Sequence, residues 1–128
     1  MTPFPIIEKA LVEVITRDYA PSSGKVFGEL QQPPANDWII VIGVIPGGSA
    51  DELFGTWYVD VDVLGWDPIT VREVANDIEP ILLRRGIRAT TMRLDDAFQN
   101  IGPAERPWDD DNVIRIGATY GFTARRSG

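Results

Sequence analysis

The sequence contains neither cysteine nor histidine. Without cysteine there is no disulfide, thiol nucleophile or thiolate metal ligand; without histidine there is no imidazole relay and no ordinary zinc site. These two absences exclude most familiar catalytic centres. Basic charge is scarce as well, since 12 Lys and Arg stand against 19 Asp and Glu, a net charge of -7. A chain of that sign should repel nucleic acid and anionic lipid rather than grip them. Long apolar runs are missing too. The longest, Trp38 to Ile45, is far below the ~18 residues of a membrane helix, and the first residues lack the basic start and apolar stretch of a secretion signal. A soluble, unsecreted protein is expected. Repeats, low-complexity tracts and catalytic signature motifs do not occur.

What is present is a chain of 128 residues, 44% hydrophobic, the size and composition of one compact domain with a real core. Its centre is the stretch from Gly55 to Trp66. Trp57, Val59, Val61 and Val63 recur at period two, with Tyr58, Asp60 and Asp62 between them, so a strand is predicted that buries the first set and leaves the second wet or in a subunit contact. Asp67 then caps a helix whose first residue is Pro68. Ile69, Val74, Ile78, Ile81 and Leu82 give that helix an apolar stripe up to about Arg85, to be laid against the Val61 face. Pro80 inside it predicts a kink or break, and Gly86 supplies the stop.

The flanking elements follow from the same rules. Thr2-Pro3 opens a first helix in which Ile7, Leu11, Val14 and Ile15 form one face up to Tyr19. Lys25 to Leu30 is a short candidate strand. Trp38 to Ile45 has β-branched residues on both faces, the mark of a central strand covered on both sides and paired with the Asp60 strand. Residues 46–54 read as a glycine-rich hairpin loop. Ile87 to Leu94 is a fourth strand, and Val113 to Arg126 a fifth, with Ile114, Ile116, Ala118, Tyr120 and Phe122 inward and Arg115, Thr119, Thr123 and Arg125 outward. Residues 96–112 between them form a loop longer than a compact domain carries without a use for it. The predicted architecture is α/β in the α+β sense, a mostly antiparallel sheet of four to five strands with two helices packed on one face.

Asp60 and Asp62, about 7 Å apart on one strand face, could in principle hold a metal or share acid-base work. The better reading pairs them across strands with Arg115 and Arg125 as plain ion pairs. Asp109 to Asn112 resembles a piece of a calcium loop but lacks its alternating ligands and distal Glu. Pro46-Gly47-Gly48-Ser49 follows a strand as phosphate loops do, yet no Lys follows it. No metal, cofactor or catalytic residue is therefore assigned. Trp108 either tucks under its own loop or anchors a partner.

The order of these pieces carries a resemblance: an N-terminal helix, a glycine-turned hairpin ending in WYVDVDVLGW, a helix opening DPITVREVANDI, a strand, a loop with Gly102-Pro103, and a last strand RIGATYGFTAR. It resembles the tail terminator (tail completion) proteins of long-tailed bacteriophages, and more loosely other small head-to-tail joining proteins. The resemblance covers nearly the whole chain, with Pro80 as a departure. It implies a hexameric ring that caps the tail tube, ends its polymerisation and joins the head, with no enzyme activity and no cofactor. Implied partners are further copies of the chain, the tail tube protein and a head-tail connector protein; genome DNA passes without specific binding, and no membrane is involved. Implied location is the tail-neck region of the virion, assembled in the host cytoplasm. An acidic ring suits a DNA conduit, and Leu53, Phe54 and Trp108 amid Asp60, Asp62, Arg115 and Arg125 are the interface candidates. The alternatives are a connector of the neck, a carboxylate-based metal-dependent enzyme and a peptide-binding adaptor.

Overall fold

The computed structural model describes residues 7–50, 54–90, 92–108 and 110–126. Helix α1 (Ile7–Asp18) turns through a single helical turn at Ala20–Ser22 into β1 (Val26–Phe27). The chain continues as β2 (Trp38–Ala50), β3 (Phe54–Gly65), α2 (Pro68–Leu82), β4 (Ile87–Arg88), β5 (Met92–Arg106) and β6 (Ile114–Arg126). The strands form one sheet in the order β1-β2-β3-β6-β5-β4. Every pairing is antiparallel except that of β1 with β2. The sheet is thus six-stranded and mixed, where four or five mostly antiparallel strands were expected: the candidate strand at Lys25 to Leu30 is present as β1, and the expected strand Ile87 to Leu94 is divided between β4 and the start of β5.

Both helices pack on one face. Ile40 and Ile42 of β2, Val59, Val61 and Val63 of β3, and Ile116, Ala118, Tyr120 and Phe122 of β6 meet Leu11, Val14 and Ile15 of α1 and Val71, Val74, Ile78 and Leu82 of α2 in one buried cluster. Ile39 and Val41 point to the other side, where they join Leu64 and Val113 in a smaller cluster. From Ile39 to Ile42 the β-branched residues on both faces of β2 are buried, as their pattern requires, whereas Val44 further along is 37% exposed. Asp67 caps α2, its carboxylate accepting from the Ile69 amide at 3.2 Å and the Thr70 hydroxyl at 2.7 Å.

Several boundaries differ from expectation for physical reasons. Pro80 lies within α2, which continues to Leu82, and the Leu83 amide still reaches Glu79 O at 3.0 Å. The proline removes one helical donor, and its ring is exposed, but the helix carries on past it. Ile69 is 68% exposed and stands off the apolar stripe, which Val71 and Ala75 fill instead. The expected strand Ile87–Leu94 is a tight hairpin: Ile87 pairs with Leu94 and the Ala89 amide bonds Met92 O at 2.9 Å. Neither long loop survives at the predicted length. β2 extends to Ala50 and β3 begins at Phe54, while most of 96–112 is the outer half of β5, paired with β6 through three register shifts. The helix opening at Thr2-Pro3 and residue Leu53 fall outside the described residues.

Candidate assembly surface on the open face of the sheet

The face away from the helices is organised in rows set by strand register. Ile45, Tyr58, Gly121 and Phe98 form one row. Gly43, Asp60, Thr119 and Ile101 form the next, followed by Val41, Asp62, Gly117 and Ala104, and then by Ile39, Leu64, Arg115 and Arg106. Alternation along each strand puts all of these on one side.

The middle rows hold a closed ionic network. Asp62, only 3% exposed, accepts from Arg106 Nη1 at 3.0 Å and from Arg115 Nη2 and Nε at 2.9 and 3.3 Å. Arg106 Nη1 is also 3.1 Å from Asp60 Oδ1. Thr119 donates its hydroxyl to Asp60 Oδ1 at 2.6 Å and accepts from Arg106 Nη2 at 3.2 Å. Two carboxylates and two guanidiniums neutralise each other, which is the condition for burying charge on a sheet. Burial pushes the Asp62 carboxyl above its ordinary range, against the pull of Arg115 and Arg106. Gly117 makes the meeting possible. An ideal Cβ there would lie 1.8 Å from Asp62 Oδ1 and 2.8 Å from Arg106 Cζ, so the carboxylate and guanidinium occupy the space a side chain would take.

Below the network Arg115 donates to Pro107 O at 3.2 Å, and its guanidinium carbon lies 5.9 Å from the centre of the Trp108 ring. Trp108 is half-buried against the Ile39/Leu64 cluster, and its indole N–H donates to Gln32 Oε1 at 2.9 Å. This segment covers the lower end of the face. Above the network the face is apolar and open: Tyr58 and Phe98 meet edge to face at 6.2 Å over Gly121, where a Cβ would be 2.1 Å from Phe98 Cζ. Phe98 is 42% and Ile101 55% exposed.

Of the residues singled out from the sequence, Asp60, Asp62, Arg115 and Trp108 are brought together. Arg125 is not. It pairs with Phe54 at the start of β3 and with Arg93 of β5, about 20 Å along β6 from Thr119. The second cation of the acid pair is Arg106, hidden in what reads as a loop. Asp62 is also buried rather than wet. Phe98 and Ile101, the exposed apolar residues of this face, lay in the same misread segment. Both oxygens of Asp62 and Oδ1 of Asp60 are engaged by guanidinium and hydroxyl groups, and among the described residues no group of three His, Cys, Asp or Glu could hold a metal ion.

No family model matches the sequence, and no curated protein is similar enough in sequence to count as a relative. The fold has solved counterparts. A chain in a structure described as the virion of a native gene transfer agent particle superposes with a TM-score of 0.67 over 95% of both chains, at 15% sequence identity. At that identity the likeness is one of fold.

Proposed function

We propose that this chain is a structural virion protein of a phage-like particle, assembled as a ring of six that caps the tail tube, ends tail polymerisation and joins tail to head. The observation that carries this reading is the end-to-end likeness in fold to a chain of a gene transfer agent virion. The order of motifs from WYVDVDVLGW to RIGATYGFTAR supports it independently. So does the chemistry of the open face, where charge is neutralised internally and apolar side chains remain outside, an arrangement suited to subunit contact rather than turnover. In this reading the chain is not an enzyme and needs no cofactor. Its partners are its own copies, the tail tube protein and a head-tail connector, and the net charge of -7 keeps passing DNA from adhering.

Deletion of the gene from the genome that encodes the particle, followed by electron microscopy of the products, tests this. Tails of uncontrolled length are expected. Tails of normal length without heads would make the chain a neck connector instead, and normal particles would remove the structural role altogether.

A further inference from the structure

The sheet has two open edges on opposite sides. β1 pairs with β2 only at Ile40 and Val41, and β4 with β5 only at Arg93 and Leu94. Residues 42–50 of β2 and 97–105 of β5 therefore have no strand partner on their outer sides among the described residues, each stretch running about 30 Å. Exposed edges of this length are normally blunted with charge. These are not: no charged residue occurs from Trp38 to Ala50, and Glu105 is the lone charge in 97–105. One proline on each, Pro46 and Pro103, removes a single donor. Where other edges carry Lys, these carry exposed apolar side chains, Val44 at 37% and Ile101 at 55%.

The topology says how the edges can meet. Four long strands, β2-β3-β6-β5, lie between the edges in strict antiparallel alternation, so β2 and β5 run in opposite directions. A second copy set beside the first by rotation about an axis along the strands presents its β2 antiparallel to the first copy's β5, continuing the alternation. The register shifts at Ile45/Ser49, Gln99/Ile101 and Ile101/Ala104 bend both edges, and bent edges lead to closure, not to a flat ribbon.

We propose that the outer edge of β2 (42–50) in one copy pairs with the outer edge of β5 (97–105) in the next, so that one sheet continues from subunit to subunit around the assembly. The contact is heterologous: the two surfaces differ, every copy offers one of each, and repetition closes a ring. This rests on the ring reading above and names the surface that builds it.

The absence of native cysteine makes crosslinking clean. The double variant Gly43→Cys/Ile101→Cys, whose two positions lie on the same face of the sheet, treated with a short bismaleimide both as purified chain and in assembled particles, should give a ladder of multimers of the 14.2 kDa chain, while each single variant stays uncrosslinked. Dimers from Gly43→Cys alone would indicate two-fold pairing of β2 edges and overturn the proposal. Val44→Lys, at an exposed position, should keep the parent's circular dichroism and denaturation midpoint but lose assembly. A ring that persists in Val44→Lys, or a ring without crosslinks in the double variant, would overturn the edge contact while leaving the ring reading intact. A chain monomeric at every concentration and in particles would overturn both.

Discussion

Gly117→Ala adds one carbon and deletes nothing, yet it should unsettle the whole ionic network. The added Cβ would sit 1.8 Å from Asp62 Oδ1, more than an ångström inside any tolerable contact, with the Arg106 guanidinium carbon 2.8 Å away. Asp62 must swing away, giving up its bonds to Arg106 and Arg115 at 3.0 and 2.9 Å. Breaking a buried ion pair costs about 3–5 kcal/mol. Arg106 and Arg115 are 21% and 18% exposed and can partly rehydrate, which favours the lower end, and the gain of Ala over Gly in a strand returns about 0.5–1 kcal/mol. A net loss of about 2–3 kcal/mol is expected. Gly43→Ala is the control, on the same face and opposite Asp60, where an added Cβ meets nothing within 4 Å; it should be neutral or slightly stabilising. Urea denaturation of both variants, with unchanged slopes, reads the difference. Repeating Gly117→Ala in an Asp62→Ala background should shrink its cost, because the displaced carboxylate is gone. Equal stability of the two glycine variants, or additive costs in the double variant, would refute the reasoning.

Val61→Asp should cost several kcal/mol and abolish soluble expression, since Val61 is 3% exposed between Ile42 and Ala118. Asp60→Asn, at a side chain 32% exposed, retains an acceptor for Thr119 and should fold; equal damage in denaturation and yield would invert the assignment of the two faces. Asp18 tests the link between the helices. Its bond from Arg17, reinforced by Arg84 of the α2 C-terminal segment, lowers the carboxyl from 3.8 to about 2. A depressed acid contributes stability above its unfolded value and loses it as pH falls, here from about 4 to about 2, and because both arginines are 46% exposed the amount is about 1 kcal/mol. Asp18→Asn should flatten stability across that window; parallel loss in parent and variant would dismiss the link.

The core was legible because its residues obey one period at a time. Val59, Val61 and Val63 alternate with Asp60 and Asp62, and Ile116, Ala118, Tyr120 and Phe122 alternate along the neighbour; all seven of these apolar residues are buried on the helix side. Helix α2 announced itself through Asp67-Pro68, a local capping device that needs no tertiary context. Local signals also misled. Ile87 to Leu94 has the composition of one strand, and nothing in apolar content separates a strand from a two-residue arm folded back on a longer one. Ile69 lies five residues before Val74, which turns it about 140° away from that face, and it is 68% exposed while Val71 and Ala75 complete the stripe.

The candidate site was half legible, and the missing half has a single cause. Asp60, Asp62 and Arg115 could be placed because β3 and β6 each bury one face and so declare their orientation. β5 beyond Leu94 buries neither face consistently: its pattern runs through exposed residues to Arg106. No alternation exists there to detect, and Asn100, Gly102 and Pro103 add turn chemistry. The strand is specified by β6 alone, through main-chain pairing that tolerates three register shifts. Arg106 was lost for that reason, and with it the cation that closes the network around Asp62. The same property bears on assembly. A strand that one neighbour holds on one side, with few charges and a bent outer edge, gains little from its own domain, and a second strand on its free side would give it what the sequence within one chain does not.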